Sequence, residues 1–212
     1  MKKLFSIFVL ALMLPLAACA KDYQEGKHYT VVGETLTAKP EVREFFSFYC
    51  PHCLSFEPFM KDLAKSLPEG ATFEKNHVDF MRAASPQVQF EITKSMIVAQ
   101  QLPQEETLIA AIFDAIQKQR KPLASQAELR ELFTKQGVDG EQFDKLMKSF
   151  GVNSKAKHMK KLQEQYTKNG ALTGVPTIIV NGKYRVNASE LDRGDFLNDY
   201  KNIVLYLLTL KS

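Results

Sequence analysis

Two kinds of hydrophobic spacing alternate along the chain. From Glu41 to Phe48 the run Val-Arg-Glu-Phe-Phe-Ser-Phe is dense in β-forming residues and predicts a buried strand. The period then lengthens. Cys53, Phe56, Met60, Leu63 and Leu67 recur at intervals of three and four, which sets one apolar stripe along a helix. Pro51 suits the first turn of that helix, where its missing N–H costs nothing. Pro68-Glu69-Gly70 ends it. Further strands are predicted at 28–32 and 72–80.

From Ser85 to about Gly170 only helical spacing remains. Val88, Ile92 and Met96 form one stripe, and Leu108, Ile109, Ile112, Phe113 and Ile116 a second. Ser125 and Glu128 form a capping-box pair ahead of Leu129, Leu132 and Phe133, with Gly137 as a stop. Phe143, Leu146, Met147 and Phe150 make a fourth stripe, and Met159, Leu162 and Tyr166 a fifth. Strand signals return at 175–180, followed by the hairpin pair Asn181-Gly182 and a partner strand at 183–186. Phe196, Tyr200, Val204 and Leu207 mark a last helix over 195–210. β-rich segments thus flank an α-only block of roughly 85 residues, about the size of a small domain. The expected fold is an α/β domain divided into 21–82 and 169–212 by a helical insertion at 83–168.

The first residues follow a different logic. Lys2 and Lys3 precede an apolar run from Leu4 to Leu16, and small residues follow at Ala17, Ala18 and Ala20. That is the layout of an export signal over 1–20. At roughly 13 residues the run is short of the ~20 that a membrane span needs. Cleavage after Ala20 would release the protein into the periplasm. The sequence Leu16-Ala17-Ala18-Cys19 also resembles a lipobox, which would leave a lipid anchor on Cys19. Without Lys2 and Lys3 the chain's 28 basic residues stand almost level with its 24 acids. Such balance argues against nucleic acid as a partner. The cluster Lys155, Lys157, His158, Lys160 and Lys161 reads as a solvated helix face.

Of three cysteines, Cys19 belongs to the leader or anchor, which leaves Cys50 and Cys53 in Tyr49-Cys50-Pro51-His52-Cys53. A staple across two residues restrains the unfolded chain little, because the entropy removed grows with loop length. Structural zinc wants about four ligands, and His28, His52, His77 and His158 are scattered. Redox chemistry is the reading that remains strongest. The attacking species is a thiolate. A helix start favours negative charge on Cys50, His52 offers a positive or donor ring, and Cys53 offers an S–H. Cys50, at the exposed end, is the expected nucleophile, and Cys53, on the apolar stripe, the resolving thiol. A stabilised thiolate makes the disulfide the less stable form, so the pair should donate its disulfide to other thiols.

The run from Glu44 to Cys53 resembles the active-site strand and helix of the DsbA family of periplasmic protein thiol oxidases. So do Leu67-Pro68-Glu69-Gly70, His77-Val78 with Phe80-Met81, Gly174-Val175-Pro176, and Val180-Asn181-Gly182-Lys183-Tyr184, in order and spacing. The resemblance implies a thioredoxin fold with a large all-helical insertion, and a cis bond between Val175 and Pro176 in a loop facing the sulfurs. There the Val175 backbone would pair with a substrate strand. It also implies Glu44 and Lys75 as a buried pair beneath the redox centre, with Glu57 a weaker member, tuning the Cys53 proton. The implied activity is oxidation of reduced, unfolded exported proteins by a monomer whose redox disulfide, Cys50–Cys53, needs no other cofactor. A quinone-linked membrane oxidase resembling DsbB would renew it. The alternative is a disulfide isomerase or reductase of the same fold. Relatives of that kind carry an N-terminal dimerisation domain, and only about 30 residues separate the cleavage site from Cys50.

Overall fold

The computed structural model describes residues 22–211; the expected export signal over 1–20 and the expected lipid anchor at Cys19 lie outside them. Five strands form one mixed sheet: β1 (Tyr29–Val31), β2 (Glu41–Phe46), β3 (Thr72–His77), β4 (Thr177–Val180) and β5 (Tyr184–Val186), in the order β1-β5-β4-β2-β3. β2 and β3 run parallel through the crossover helix α1 (Pro51–Lys65), and the other pairings are antiparallel. The β4–β5 turn places both Asn181 and Gly182 at positive φ, 52° and 67°. The Lys183 N–H closes the turn on the Val180 carbonyl at 3.0 Å, and three residues join the paired Val180 and Tyr184.

Alternation along β2 assigns its residues to two faces. Val42 joins Met60 and Leu63 of α1 and Ile203, Val204 and Leu207 of the last helix, α7 (Phe196–Thr209), in one core. Phe45 faces the other way, onto Tyr166, Leu172 and Ile179. Between β3 and β4 come five helices: α2 (Pro86–Ala99), α3 (Glu105–Phe113), α4 (Gln126–Lys135), α5 (Gly140–Lys148) and α6 (Phe150–Lys168). The all-helical insertion of a thioredoxin fold is therefore present. Its core is continuous with the end of β2: Phe46, Phe48, Cys50 and Cys53 share a buried cluster with Ile92, Met96, Ile112, Phe113 and Phe133. The redox motif thus sits on the seam between sheet and insertion.

The capping box forms as predicted: Ser125 Oγ accepts from the Glu128 N–H, and the Glu128 carboxylate accepts from the Ser125 N–H. Strand ends fall short of the sequence expectation. β2 stops at Phe46 and β3 at His77, and β4 starts only at Thr177, because the residues beyond turn toward the site and the insertion. One stripe assignment is wrong. Phe150 does not extend the α5 stripe. Ser149 caps α6, so a new helix axis begins, and Phe150 at its first position is 89% exposed. On α6, Lys157, His158 and Lys161 are exposed, while Lys155 meets Gln100 and Glu74 and Lys160 meets Asp79. Among the described residues no helix is long and apolar enough to cross a membrane.

Candidate active site

β2 feeds directly into α1 through Ser47–Cys50, and Cys50 becomes the helix cap. Its backbone is extended, at φ −95° and ψ 113°, and its sulfur accepts the Cys53 N–H at 3.1 Å. An ordinary helix start uses Ser, Thr, Asp or Asn for this task. Here a thiol takes the place, with Pro51 following at the position that lacks an N–H. Cys50 and Cys53 are both free thiols in this structure. The Cys50 thiol is lowered to about 6, first by the Cys53 S–H, against the opposing effect of burial, then by the backbone N–H groups of Cys53 and His52. The charge of His52 comes last among these influences. The Cys53 thiol moves the other way, raised by its hydrogen bond to Cys50, then by burial, then by the charges of Cys50 and Glu44.

Two expectations change here. Cys50 is not exposed: it is 4% accessible, because it belongs to the insertion's buried cluster, against which Tyr49, Leu54 and Val175 pack. His52 is exposed, as is Pro51, and solvent around it explains its small electrostatic effect. The Val175–Pro176 bond is cis. The carbonyl of Val175 lies 3.5 Å from the Cys50 sulfur, so the loop ahead of β4 faces the thiol across 125 residues of sequence.

Beneath the pair, the parallel register sets Glu44 opposite Lys75. Lys75 Nζ donates to Glu44 Oε2 at 2.7 Å and to Glu57 Oε2 at 2.6 Å, and sits 4.5 Å from the centre of the Phe46 ring. One ammonium thus lies between two carboxylates, and Glu57 holds it as closely as Glu44 does. Burial pushes the Glu44 carboxyl up, in spite of Lys75. Burial also acts against the Lys75 charge, but Glu44 and Glu57 outweigh it and hold the ammonium above its ordinary value. The second Glu44 oxygen, Oε1, is buried without a hydrogen-bond partner among the described residues.

Two neighbours are not among the expected site residues. His77 is buried, with Nδ1 2.8 Å from Thr93 Oγ1 and its ring against Phe46 and Phe48. Thr93 donates to the Gln89 carbonyl, so its oxygen accepts from the imidazole, and Nε2 has no partner among the described residues. Burial lowers this imidazole to about 3, against the pull of Asp79. Gln117 reaches the redox segment from the insertion and donates to the carbonyls of Phe48 and Cys50. It lies within a polar run, Gln117 to Lys121, that reads in sequence as a helix end.

The chain that carries this redox pair at a helix start, opposed by the loop of a cis proline, is similar to known proteins. Residues 41–200 match the DSBA-like thioredoxin domain. The chain belongs to the DsbA family. The thiol:disulfide interchange protein DsbA of Escherichia coli K12 is 34% identical over 213 residues, covering 98% of each chain. Its counterpart from Pectobacterium carotovorum is 35% identical over 217 residues, the full length of both. The crystal structure of the disulfide oxidoreductase DsbA from Proteus mirabilis matches with a TM-score of 0.77 at 30% identity, over 89% of this chain and 98% of that one. A DsbA from that organism with a non-covalently bound peptide matches with the same TM-score at 29% identity, over 89% of this chain and 100% of that one. With relatives this similar along its whole length, the chain is a protein thiol:disulfide oxidoreductase of the DsbA family.

Proposed function

We propose that this DsbA-family chain is a periplasmic disulfide oxidase that donates the Cys50–Cys53 disulfide to newly exported, reduced proteins. The observation that carries the direction is the split between the two thiols: Cys50 lowered to about 6 and Cys53 raised. A substrate thiolate attacks the Cys50 sulfur. The Cys50–Cys53 bond breaks, its electron pair goes to Cys53, and Cys53 takes up a proton. A second substrate thiolate then attacks the substrate sulfur of the mixed disulfide, and Cys50 departs as a stabilised thiolate. Two electrons pass from the substrate dithiol to the pair. Of the two protons the substrate loses, one rests on Cys53 and the other goes to solvent. A low-pKa leaving thiol speeds the second step and disfavours its reversal.

In this reading Pro51 and His52 shape the helix start, and Val175 and Pro176 receive the substrate backbone by strand addition, which tolerates many sequences. The peptide bound by the Proteus mirabilis relative supports such a groove here. Glu44, Lys75 and Glu57 tune the proton on Cys53. A quinone-linked membrane oxidase of the DsbB kind reoxidises the pair, the enzyme works as a monomer, and no cofactor beyond the disulfide is needed. The export signal at 1–20 delivers the chain, with 21–82 and 169–212 as the thioredoxin-like unit and 83–168 as its insertion.

Replacing Cys50 with serine is expected to abolish oxidation of a reduced, unfolded substrate, by about 10³-fold or more, with the fold retained by circular dichroism. Retained oxidation would overturn the assignment. Efficient reshuffling of a scrambled substrate without net oxidation by the unaltered enzyme would favour the isomerase.

A further inference from the structure

We infer that Gln117 is a positioning residue for the redox reaction, holding the strand-to-helix junction so that the Cys50 sulfur stays aimed at its donors. The inference deepens the oxidase reading and rests on Cys50 as the attacked sulfur. Between the end of β2 at Phe46 and the start of α1 at Pro51, the junction makes few bonds of its own: Cys50 N–H to the Ser47 carbonyl at 3.0 Å and Tyr49 N–H to Ser47 Oγ at 3.1 Å. The carbonyls of Phe48 and Cys50 are both taken by one side-chain amide. Gln117 Nε2 donates to them at 2.8 Å and 3.0 Å. Both hydrogens of one NH₂ group are therefore used, across 69 and 67 residues of sequence.

The Cys50 carbonyl also accepts the Leu54 N–H at 3.2 Å, the bond that opens the helical ladder of α1. Fixing that oxygen fixes the Cys50 peptide plane, and with it the extended backbone that directs the sulfur to the Cys53 N–H. Gln117 belongs to a π-helical turn, Asp114–Lys118, at the end of α3. Such turns are rare and concentrate at functional sites. The same corner of the insertion holds the junction twice more: Phe113 packs on Phe48 with ring centres 4.6 Å apart, and the Tyr49 hydroxyl donates to the Pro122 carbonyl at 3.1 Å.

A purely structural Gln117 would contribute packing and stability alone. Gln117→Met keeps the length and bulk of the side chain and removes its donors; Gln117→Ala removes both, and a folded protein from either variant allows the test. The measurements are thiolate absorbance of the reduced protein against pH, the disulfide equilibrium with glutathione, and the melting temperature. Both variants are expected to titrate Cys50 at higher pH than the unaltered protein and to shift the glutathione equilibrium at least fivefold toward the protein disulfide. Titration and equilibrium unchanged within twofold would overturn the inference, whatever happens to melting. The unaltered protein's own glutathione equilibrium tests the oxidase reading separately: a strongly reducing value would sink that reading while leaving the effect of Gln117 measurable.

Discussion

The first turn of α1 and the paired strands β2 and β3 beneath it each hold buried ionisable groups, yet they treat them in opposite ways. At the helix start the Cys50 thiol is driven toward its charged form. A few residues away, burial raises the Glu44 carboxyl and depresses the His77 imidazole, each toward its neutral form. Burial is common to all three and disfavours charge in each, so it does not set the difference between them. The supply of hydrogen-bond partners for the charged form does. Cys50 meets an S–H and two N–H groups that no helical partner uses. One oxygen of Glu44 and one nitrogen of His77 have no partner among the described residues.

The largest test removes the cation that makes Glu44 tolerable. Lys75→Met leaves both carboxylates without their shared partner and is expected to cost about 3–5 kcal/mol in urea unfolding at pH 7. Glu44 is raised in the fold, so the unfolded chain releases its proton first and stability falls as pH rises through the ordinary carboxylate range. The loss should therefore shrink at pH 4, and shrink again when Glu44→Gln is added. An equal loss at both pH values would break the comparison.

His77 provides the next effect. The unfolded imidazole titrates near 6.5 and the native one near 3, so between those values the unfolded chain binds more protons. Stability should decline as pH falls from 6.5 toward 3, by about 3 kcal/mol at pH 4 on the scale of 1.36 kcal/mol per unit. In His77→Gln that part of the decline disappears. A variant with an unchanged acid profile would show that other groups carry it.

At the helix start the effects are smaller. Cys53→Ala removes the first of the donors to Cys50. The alkylation midpoint of Cys50 should rise above about 6, with about fivefold less thiolate at that pH. An unmoved midpoint would assign the effect to backbone N–H groups alone. The mildest test is at an ordinary cap: Ser125→Ala on exposed α4 should cost about 0.5–1 kcal/mol in thermal or urea unfolding. It gauges what a cap is worth where no redox chemistry depends on it.

Much of the fold was legible before the structure because it depends on neighbours in sequence. Helical and strand periods are written over four to fifteen residues, as are the Ser125–Glu128 box, the Asn181-Gly182 turn and the start of α1 at Pro51. The redox pair belongs with these, since a helix start requires only that Pro51 follow Cys50. The likeness to the DsbA family extended this reach to Val175-Pro176 and to Glu44 with Lys75, which no local pattern connects.

What tertiary structure alone decided is which distant groups meet. It buried Cys50, left His52 exposed, raised Glu57 from a weaker member to a partner of Lys75 as close as Glu44, and left Phe150 in solvent when a new helix axis began at Ser149. It also brought Gln117 from a polar helix end onto two carbonyls of the redox junction. The physical reason is one of range. Propensity and periodicity act within a turn or two of chain, whereas burial and hydrogen-bond supply depend on elements that meet only when sheet and insertion close on each other.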